Sequence, residues 1–251
     1  MTRKLAILVL LTSSCLAQTF VSYAGFEDAS GTAYTTVNVV FNGGVAVGNA
    51  VACYVRYGNS GNPALTVAVT GTGGENFIQA GTNAEVTTNS WSGLYLKSNS
   101  GGGTPYTAKF TFSPGGYAAY VGVVCAQYSS ASAPLVLDQT AQGINNGATG
   151  TYPYNFCTTG AFTTAFPNEV IIFAGSGGPP YAATGFNLRA TSGSNSLAVL
   201  FDKDVTSVQN NTSATVTGAL FISWNCNLAT LVNGTPAAPQ VSAVRSRTTI
   251  Y

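Results

Sequence analysis

The sequence predicts an all-β protein built as a single antiparallel β-sandwich, of jelly-roll or immunoglobulin-like type, with little or no helix. Short runs rich in Val, Thr, Tyr and Phe recur along the chain between clusters of Gly, Asn, Ser and Pro, which is the pattern of strands joined by turns. No stretch of a dozen residues has the apolar period of a helix, and the 29 glycines interrupt every candidate. Beyond the N-terminal segment, helix is therefore expected to be at most a turn or two.

The predicted strands follow one another with turn signals between them. The turn Asn42-Gly43-Gly44 separates the first two strands. The run Tyr117–Tyr128 is long and apolar apart from Gln127, which favours a central strand covered on both faces. The predicted strands are Tyr34–Phe41, Ala50–Tyr57, Leu65–Thr70, Trp91–Lys97, Tyr106–Ser113, Tyr117–Tyr128, Tyr154–Thr164, Glu169–Ala174, Tyr181–Arg189, Leu197–Phe201 and Ala214–Trp224.

One domain accounts for residues 18–231. No linker is long enough to divide this range, and no repeat at a fixed period is visible. β-Sandwiches often run past about 200 residues undivided. After Leu231 the composition shifts to Gly, Thr, Pro and Ala, so residues 232–251 are predicted to be a tail that is either disordered or paired as an edge strand.

The N-terminus has the layout of an export signal. Two basic residues precede the apolar run Leu5–Leu11, and small residues continue to Ala17. We expect residues 1–17 to be cleaved after Ala17, which places the mature chain outside the cell or on its surface. A membrane helix needs roughly 20 apolar residues, and no segment reaches that length. In an alternative interpretation Cys15 is lipidated, but Thr12 stands where a lipobox has an aliphatic residue.

Charge and histidine content exclude several function classes. The chain has 8 Asp and Glu, 9 Lys and Arg, and no His. Loss of Arg3 and Lys4 with the signal leaves seven scattered cations against eight acids. Nucleic acids and anionic membranes call for clustered Lys and Arg, so neither is expected as a partner. A Ser or Cys nucleophile needs a general base, and histidine is absent.

Four cysteines remain after loss of the signal. Four cysteines in an exported chain predict two disulfides, with three possible connectivities. Buried free thiols are the alternative, because each cysteine lies in an apolar, strand-like run. A zinc site is not expected without histidine or a Cys-x-x-Cys spacing. The disulfide candidates are Cys53, Cys125, Cys157 and Cys226.

Extracellular glycans are one class of candidate partner. A carbohydrate platform needs exposed aromatic rings with amides and hydroxyls nearby. Trp91 and Tyr95 lie four residues apart in one predicted strand, so they share a face, although tryptophans such as Trp91 and Trp224 are favoured as core residues. The candidate glycan-binding residues are Trp91, Tyr95, Tyr106, Tyr152, Tyr154 and Tyr181.

Acidic residues raise two further possibilities. Asp138, Asp202 and Asp204 form a weak candidate site for calcium, which accepts six to eight oxygen ligands; no other cofactor is expected. Glycoside hydrolysis would need two carboxylates about 5 to 9.5 Å apart. Glu75, Glu85, Asp138 and Glu169 are the candidates for that chemistry, but turn-forming and solvated roles are favoured for the acids.

Several landmarks in order resemble a family of exported bacterial β-sandwich proteins. They are Gly48-Asn49-Ala50-Val51 before the CYVRYG strand, the turn Gly73–Phe77, Tyr95–Asn99 before a glycine-rich loop and a Phe-Thr-Phe strand, VVCAQYSS, Asp138, and Pro167–Ile171. The resemblance covers about residues 37–228 and implies a jelly-roll or immunoglobulin-like fold and an extracellular location, but no activity. The chain departs from the family pattern at Gln127-Tyr128-Ser129-Ser130, where Glu-Tyr-Ser-Gly is usual, and in its cysteines.

A non-enzymatic, secreted or cell-surface module with a structural or adhesive role is the function that these features favour. Its partners would be itself, other surface proteins or glycans. In a sharper version, residues 240–251 or Gln18–Ala24 complete a neighbour's sheet edge and build a polymer. A carbohydrate-binding module is the alternative, and a carboxylate-dependent glycosidase or lyase is the third hypothesis.

Overall fold

The computed structural model describes an all-β protein. Within the described residues the regular elements are β-strands apart from one 3-10 turn at Thr72–Gly74, and the strand pairings are antiparallel, which confirms the predicted fold class. The described residues are 18–58, 65–87, 90–113, 118–130, 134–145, 154–176, 178–221 and 224–234. The predicted signal, residues 1–17, and residues 235–251 of the predicted tail lie outside them.

The first half of the chain forms two sheets. Its strands are β1 (Thr19–Asp28), β2 (Thr36–Phe41), β3 (Ala50–Gly58), β4 (Thr66–Thr70), β5 (Ile78–Thr87), β6 (Ser90–Lys97), β7 (Tyr106–Ser113) and β8 (Ala119–Ser129). Five of them form a sheet in the order β1-β8-β3-β6-β5, and three form a sheet in the order β2-β7-β4.

The second half repeats this arrangement. Its strands are β9 (Leu135–Asn145), β10 (Tyr154–Thr158), β11 (Glu169–Ser176), β12 (Gly178–Ala183), β13 (Asn187–Thr191), β14 (Val199–Val205), β15 (Thr215–Phe221) and β16 (Trp224–Asn233). The sheets have the orders β9-β16-β11-β14-β13 and β10-β15-β12. Adding eight to each strand number of the first half therefore reproduces both sheets of the second half.

A β-bulge recurs at the same place in the two halves. In β1 the extra residue is Val21, because Phe20 pairs with Tyr128 while Ser22 pairs with the next residue, Gln127. In β9 two residues, Asp138 and Gln139, lie opposite a single residue of β16, Thr230. Shared strand order and a shared irregularity show that the chain contains two copies of one supersecondary unit.

Each unit has the strand order of a jelly roll. An immunoglobulin-type sandwich keeps its first two strands in one sheet, whereas β1 and β2 lie in different sheets and β1 pairs with β8. Eight strands in two sheets with this order are typical of jelly rolls. The sequence predicted one sandwich over residues 18–231, and the same range holds two.

The four sheets stack around three cores. The first core lies between the two sheets of the first half, the second core between those of the second half, and the central core between the two five-stranded sheets. Because the five-stranded sheets have a core on each side, β3 and β8 are buried almost throughout, while the outer strands β2 and β7 alternate buried and exposed residues. Large central-core side chains are Tyr54, Leu94 and Tyr128 from one half and Ile172, Leu200 and Leu231 from the other.

Both predicted disulfides are present, each within one half. Cys53 and Cys125 join the neighbouring strands β3 and β8, whose register places them opposite one another. Cys157 and Cys226 join β10 to β16 and so connect the two sheets of the second half. The free-thiol alternative does not apply to these four residues.

The two five-stranded sheets pack face to face, and equivalent strands lie at opposite edges of the pair. Strand β1 contacts β13, β3 contacts β11, and β5 contacts β9, as expected for two similar units related by a two-fold rotation. Arg189 of the second half lies 4.8 Å above the ring of Phe20 in the first half and pairs with Asp202 at 2.7 Å. The cation–π contact with Phe20 therefore joins the two halves at one edge of the interface, and Asp202 of the second half holds the guanidinium of Arg189.

Helices long and apolar enough to span a membrane do not occur among the described residues.

Candidate functional site

The predicted aromatic platform is corrected at three positions. Trp91, Tyr95 and Tyr106 are 3%, 2% and 0% exposed and belong to the first core. Trp91 stacks on Tyr57 with the ring centroids 6.0 Å apart. The reason is that β6 and β7 turn these rings inward, toward the space between the two sheets, where no sugar can reach their faces.

The other platform residues offer no more support for a glycan surface. Tyr181 is half-buried against the second core, and its hydroxyl donates a hydrogen bond to the carbonyl of Ser196. Tyr152 and the side chains of Tyr154 and Trp224 lie outside the described residues.

The candidate calcium ligands do not converge. Asp202 and Asp204 lie on β14, whereas the sequence placed them in a turn, and Asp202 is already paired with Arg189. Asp138 lies on β9, with β11 and β16 between the two strands. Three strand spacings amount to about 14 Å, so one cation cannot bind all three carboxylates. No cluster of three or more Asp, Glu, Cys or His side chains suited to a metal occurs in the described part of the chain.

Glu27 connects the two halves. Its carboxylate accepts hydrogen bonds from Ser192 Oγ at 2.6 Å, Asn195 N at 2.7 Å and Leu197 N at 2.9 Å. Partial burial raises the pKa of Glu27, but these hydrogen bonds outweigh it and hold the pKa below its ordinary value. The carboxylate of the first half is thus bound inside a loop of the second.

Two further acids organise loops of the first half. Asp28 accepts hydrogen bonds from the backbone and side chain of Ser30 and from the Tyr34 hydroxyl, which hold its pKa well below the usual range. Glu75 accepts hydrogen bonds from the Gly101 amide and from the Tyr106 hydroxyl, the latter at 3.1 Å. It therefore ties the glycine-rich loop after β6 to the turn after β4.

Glu169, which is buried, and Asp138, which is half-buried, form an acidic pair in the second half. Glu169 has no exposed surface, and its Oε1 accepts a hydrogen bond from Phe166 N at 3.1 Å. Asp138 Oδ2 accepts one from Ala165 N at 2.8 Å. Burial raises the pKa of Glu169 to about 7, and the neighbouring Asp138 adds to the rise. The pair fastens the loop before β11.

An open hollow lies at one end of the first half. It has a volume of about 310 Å³ and is lined by β1, the turn after β2 and one residue of β8. Val21 and Tyr23, on its rim, are 47% and 57% exposed. The volume is at the lower end of the roughly 300–1,000 Å³ range of ligand pockets.

Polar groups line the hollow beside these apolar side chains. Gln127, from β8, is only 2% exposed, and its Oε1 accepts a hydrogen bond from Ser22 Oγ at 2.9 Å. Asn42 and Gly43, from the turn after β2, are exposed. None of the residues that line the hollow carries a charge.

Sequence reasoning missed this hollow, although two signals were available. The run Thr19–Phe26 is rich in Val, Phe and Tyr and reads as a strand directly after the predicted signal. Gln127 is an amide within the otherwise apolar run of β8, and a buried amide calls for a partner.

Comparison of the chain with protein-family models, with curated proteins and with solved structures finds no match. The fold defines a class, a protein of two paired jelly rolls, without assigning the chain to a family. The resemblance to exported bacterial β-sandwich proteins gains no support from these comparisons and meets no conflict.

Proposed function

We propose that the protein is an exported, non-enzymatic module with a structural or adhesive role outside the cell or on its surface. The proposal rests on the observation that most of the Asp and Glu side chains form hydrogen bonds within the fold. Among the described side chains, six carboxylates accept hydrogen bonds within the fold: those of Glu27, Asp28, Glu75, Asp138, Glu169 and Asp202. With no histidine in the chain, acids committed to the fold leave few groups for catalysis.

Two disulfides support export. Such bonds persist in oxidising compartments and are rare in the cytosol. Solubility rests on hydroxyls and amides in a chain with only 7% charged residues, which is compatible with a role at a surface.

Self-assembly through Gln18–Ala24 is disfavoured. This segment is already paired with β8 in the chain's own sheet, and the bulge at Val21 makes this edge strand irregular. Bulges of this kind protect edge strands from further pairing. Assembly through residues 240–251, which lie outside the described residues, stays a separate proposal.

Co-sedimentation with cell envelopes of the producing organism tests the proposed function. The oxidised mature chain is mixed with purified envelopes and pelleted, and electron microscopy records any polymer. An adhesive or structural role predicts retention in the pellet or self-assembly, and deletion of Gln240–Tyr251 should abolish only the latter. A chain that stays monomeric in the supernatant would contradict the proposal.

A further inference from the structure

We infer that Asn42, in the turn after β2, is a site of spontaneous deamidation, a covalent modification that converts its side-chain amide into a carboxylate. The sequence Asn42-Gly43 supplies the two groups that react, a side-chain amide and the backbone amide of the next residue. Glycine is the most permissive neighbour for this reaction, because it has no Cβ to shield its nitrogen. The modification does not depend on the adhesive role proposed above.

The reaction needs only the chain itself and water. The backbone nitrogen of Gly43 attacks Cγ of Asn42 and forms a new N–C bond, while the side-chain nitrogen leaves as ammonia and takes up the proton of the Gly43 amide. The product is a five-membered succinimide ring. Water then adds to one of the two ring carbonyl carbons and breaks its C–N bond, which gives aspartate or isoaspartate. In total, one water is consumed and one ammonia is released.

The fold leaves both reacting groups of this turn accessible. Asn42 and Gly43 are exposed, and the turn is closed by a hydrogen bond of 2.9 Å from the Gly44 amide to the carbonyl of Phe41. Within the described residues, neither the side chain of Asn42 nor the amide of Gly43 has a hydrogen-bond partner. A Cβ built on Gly43 meets no atom within 4 Å. The Asn42 side chain therefore has room to move onto the Gly43 nitrogen.

The second Asn-Gly sequence among the described residues is protected. Asn233 is half-buried at the end of β16, where it pairs with Leu135. The amide of Gly234 donates a hydrogen bond of 3.3 Å to the carbonyl of Pro134. Attack by this nitrogen would first have to break that hydrogen bond and disturb the strand pairing. A third such sequence, at residues 146–147, lies outside the described residues.

Exposure alone does not distinguish Asn42 from other asparagines. Asn99 and Asn195 are exposed as well, and each is followed by serine, which is also small. In both places the next amide already donates to a backbone carbonyl, at 2.8 Å from Ser100 and at 3.2 Å from Ser196. Asn42 combines an exposed side chain, a following glycine and an amide without a partner in the described part of the chain.

Deamidation places a negative charge in the hollow at the end of the first half. Asn42 lines this hollow, and none of the lining residues carries a charge before the reaction. Isoaspartate also lengthens the backbone of the turn by one carbon, next to Gly44, whose Cβ position lies only 2.6 Å from the carbonyl oxygen of Gly103. Older molecules therefore differ from new ones in the charge and the backbone of this surface.

Ageing of the folded, oxidised chain in water labelled with heavy oxygen tests the inference. The chain is kept warm at mildly alkaline pH, and peptide mapping by mass spectrometry follows Asn42 and Asn233 in the same sample. We expect labelled aspartate and isoaspartate at Asn42, formed at least about tenfold faster than at Asn233, because the hydrogen bond of Gly234 must break there. In denaturant, which removes that protection, the two rates should become similar.

Gly43→Ala and Gly234→Ala form a matched pair of variants. Gly43→Ala should fold, because its Cβ meets no neighbour and its φ lies outside the left-handed region. The added methyl group crowds the attacking nitrogen and should slow conversion of Asn42 about tenfold. In Gly234→Ala the Cβ makes an ordinary contact of 3.5 Å with Val136, and conversion of Asn42 should match that of the parent.

Three outcomes would overturn the inference. They are an Asn42 that stays intact in the folded chain, equal rates at Asn42 and Asn233 in the folded chain, and aspartate at Asn42 without isoaspartate. The last result would show direct hydrolysis of the side chain instead of attack by the Gly43 nitrogen. Co-sedimentation with envelopes is measured separately, so the adhesive role stands or fails on its own result.

Discussion

At the scale of single residues, carboxylates in this protein serve mainly to hold backbone loops. Glu27 binds the loop Ser192–Leu197 across the interface between the halves. Glu169 and Asp138 bind the loop before β11. Sequence reasoning favoured turn and solvation roles for the acids, but it could not predict these partners, since Glu27 and Leu197 are 170 residues apart.

Protonation of Glu169 predicts a pH-dependent stability. The pKa of Glu169 is raised from 4.5 to about 7 in the folded protein. This contribution to stability is therefore complete below about pH 4.5 and is lost as the pH rises through 7. We expect the free energy of unfolding to fall by on the order of 3 kcal/mol across this window, measured by urea denaturation at several pH values.

Substitution of the pair provides the control. Glu169→Gln should flatten the pH dependence of the unfolding free energy between pH 4.5 and 7.5, because the titrating group is gone. Asp138→Asn should make the loss of stability toward neutral pH smaller, because the neighbouring carboxylate no longer raises the pKa of Glu169. An unchanged slope in Glu169→Gln would show that another group is responsible.

Removal of the Glu27 carboxylate should weaken the joint between the halves. Glu27→Ala leaves the amides of Asn195 and Leu197 without their acceptor, and we expect a loss of about 2 kcal/mol in urea denaturation. Asp204→Ala is the control, because Asp204 is exposed and such substitutions usually change stability by less than about 0.5 kcal/mol. Equal effects would argue against an anchoring role.

At the scale of elements, burial explains which strands the sequence could predict. Outer strands such as β2 and β7 alternate buried and exposed residues, so their pattern is legible. The long apolar run of β8 correctly indicated a strand covered on both faces. The predicted strand Tyr181–Arg189 instead divides between β12 and β13, because a turn lies within it.

Substitution of an aromatic residue should affect stability more in a buried strand than in an edge strand. Trp91→Ala removes a core side chain of β6 and should lower the free energy of unfolding by about 3–5 kcal/mol. Tyr23→Ala removes an exposed ring from the edge strand β1 and should change stability by less than about 1 kcal/mol. Thermal denaturation measures both, and a severe loss in Tyr23→Ala would mean that the ring is structural.

Each disulfide should contribute a similar amount to stability. The separations of 72 and 69 residues between the bonded cysteines are almost equal, so the chain-entropy account gives about 4 kcal/mol for either bond. The paired variants Cys53→Ala with Cys125→Ala, and Cys157→Ala with Cys226→Ala, should therefore unfold at similar, lower urea concentrations. A large difference between them would point to contributions from the native state, such as the connection of two sheets by Cys157–Cys226.

At the scale of the whole molecule, duplication is the feature that the sequence concealed. Equivalent strands share burial but few residues, as β3 (AVACYVRYG) and β11 (EVIIFAGS) illustrate. Either apolar sequence can form a strand that is buried on both faces, because a hydrophobic core tolerates many different apolar residues. The duplication is therefore visible in strand order and in the paired bulges, and it is not visible as a sequence repeat.

A shared central core should hold the two halves together without a covalent link. Neither disulfide crosses between them, and the central core contains large apolar side chains from both, which should bind the halves tightly. A protease site placed at residues 131–133, between β8 and β9, makes this claim testable by cleavage of one peptide connection.

Size-exclusion chromatography with light scattering of the cleaved, oxidised protein is the most direct measurement. We predict that the two fragments elute together with the mass of the intact chain and separate only in denaturant. Fragments that elute apart, each folded and about half the original mass, would contradict the account of two jelly rolls joined through one common core.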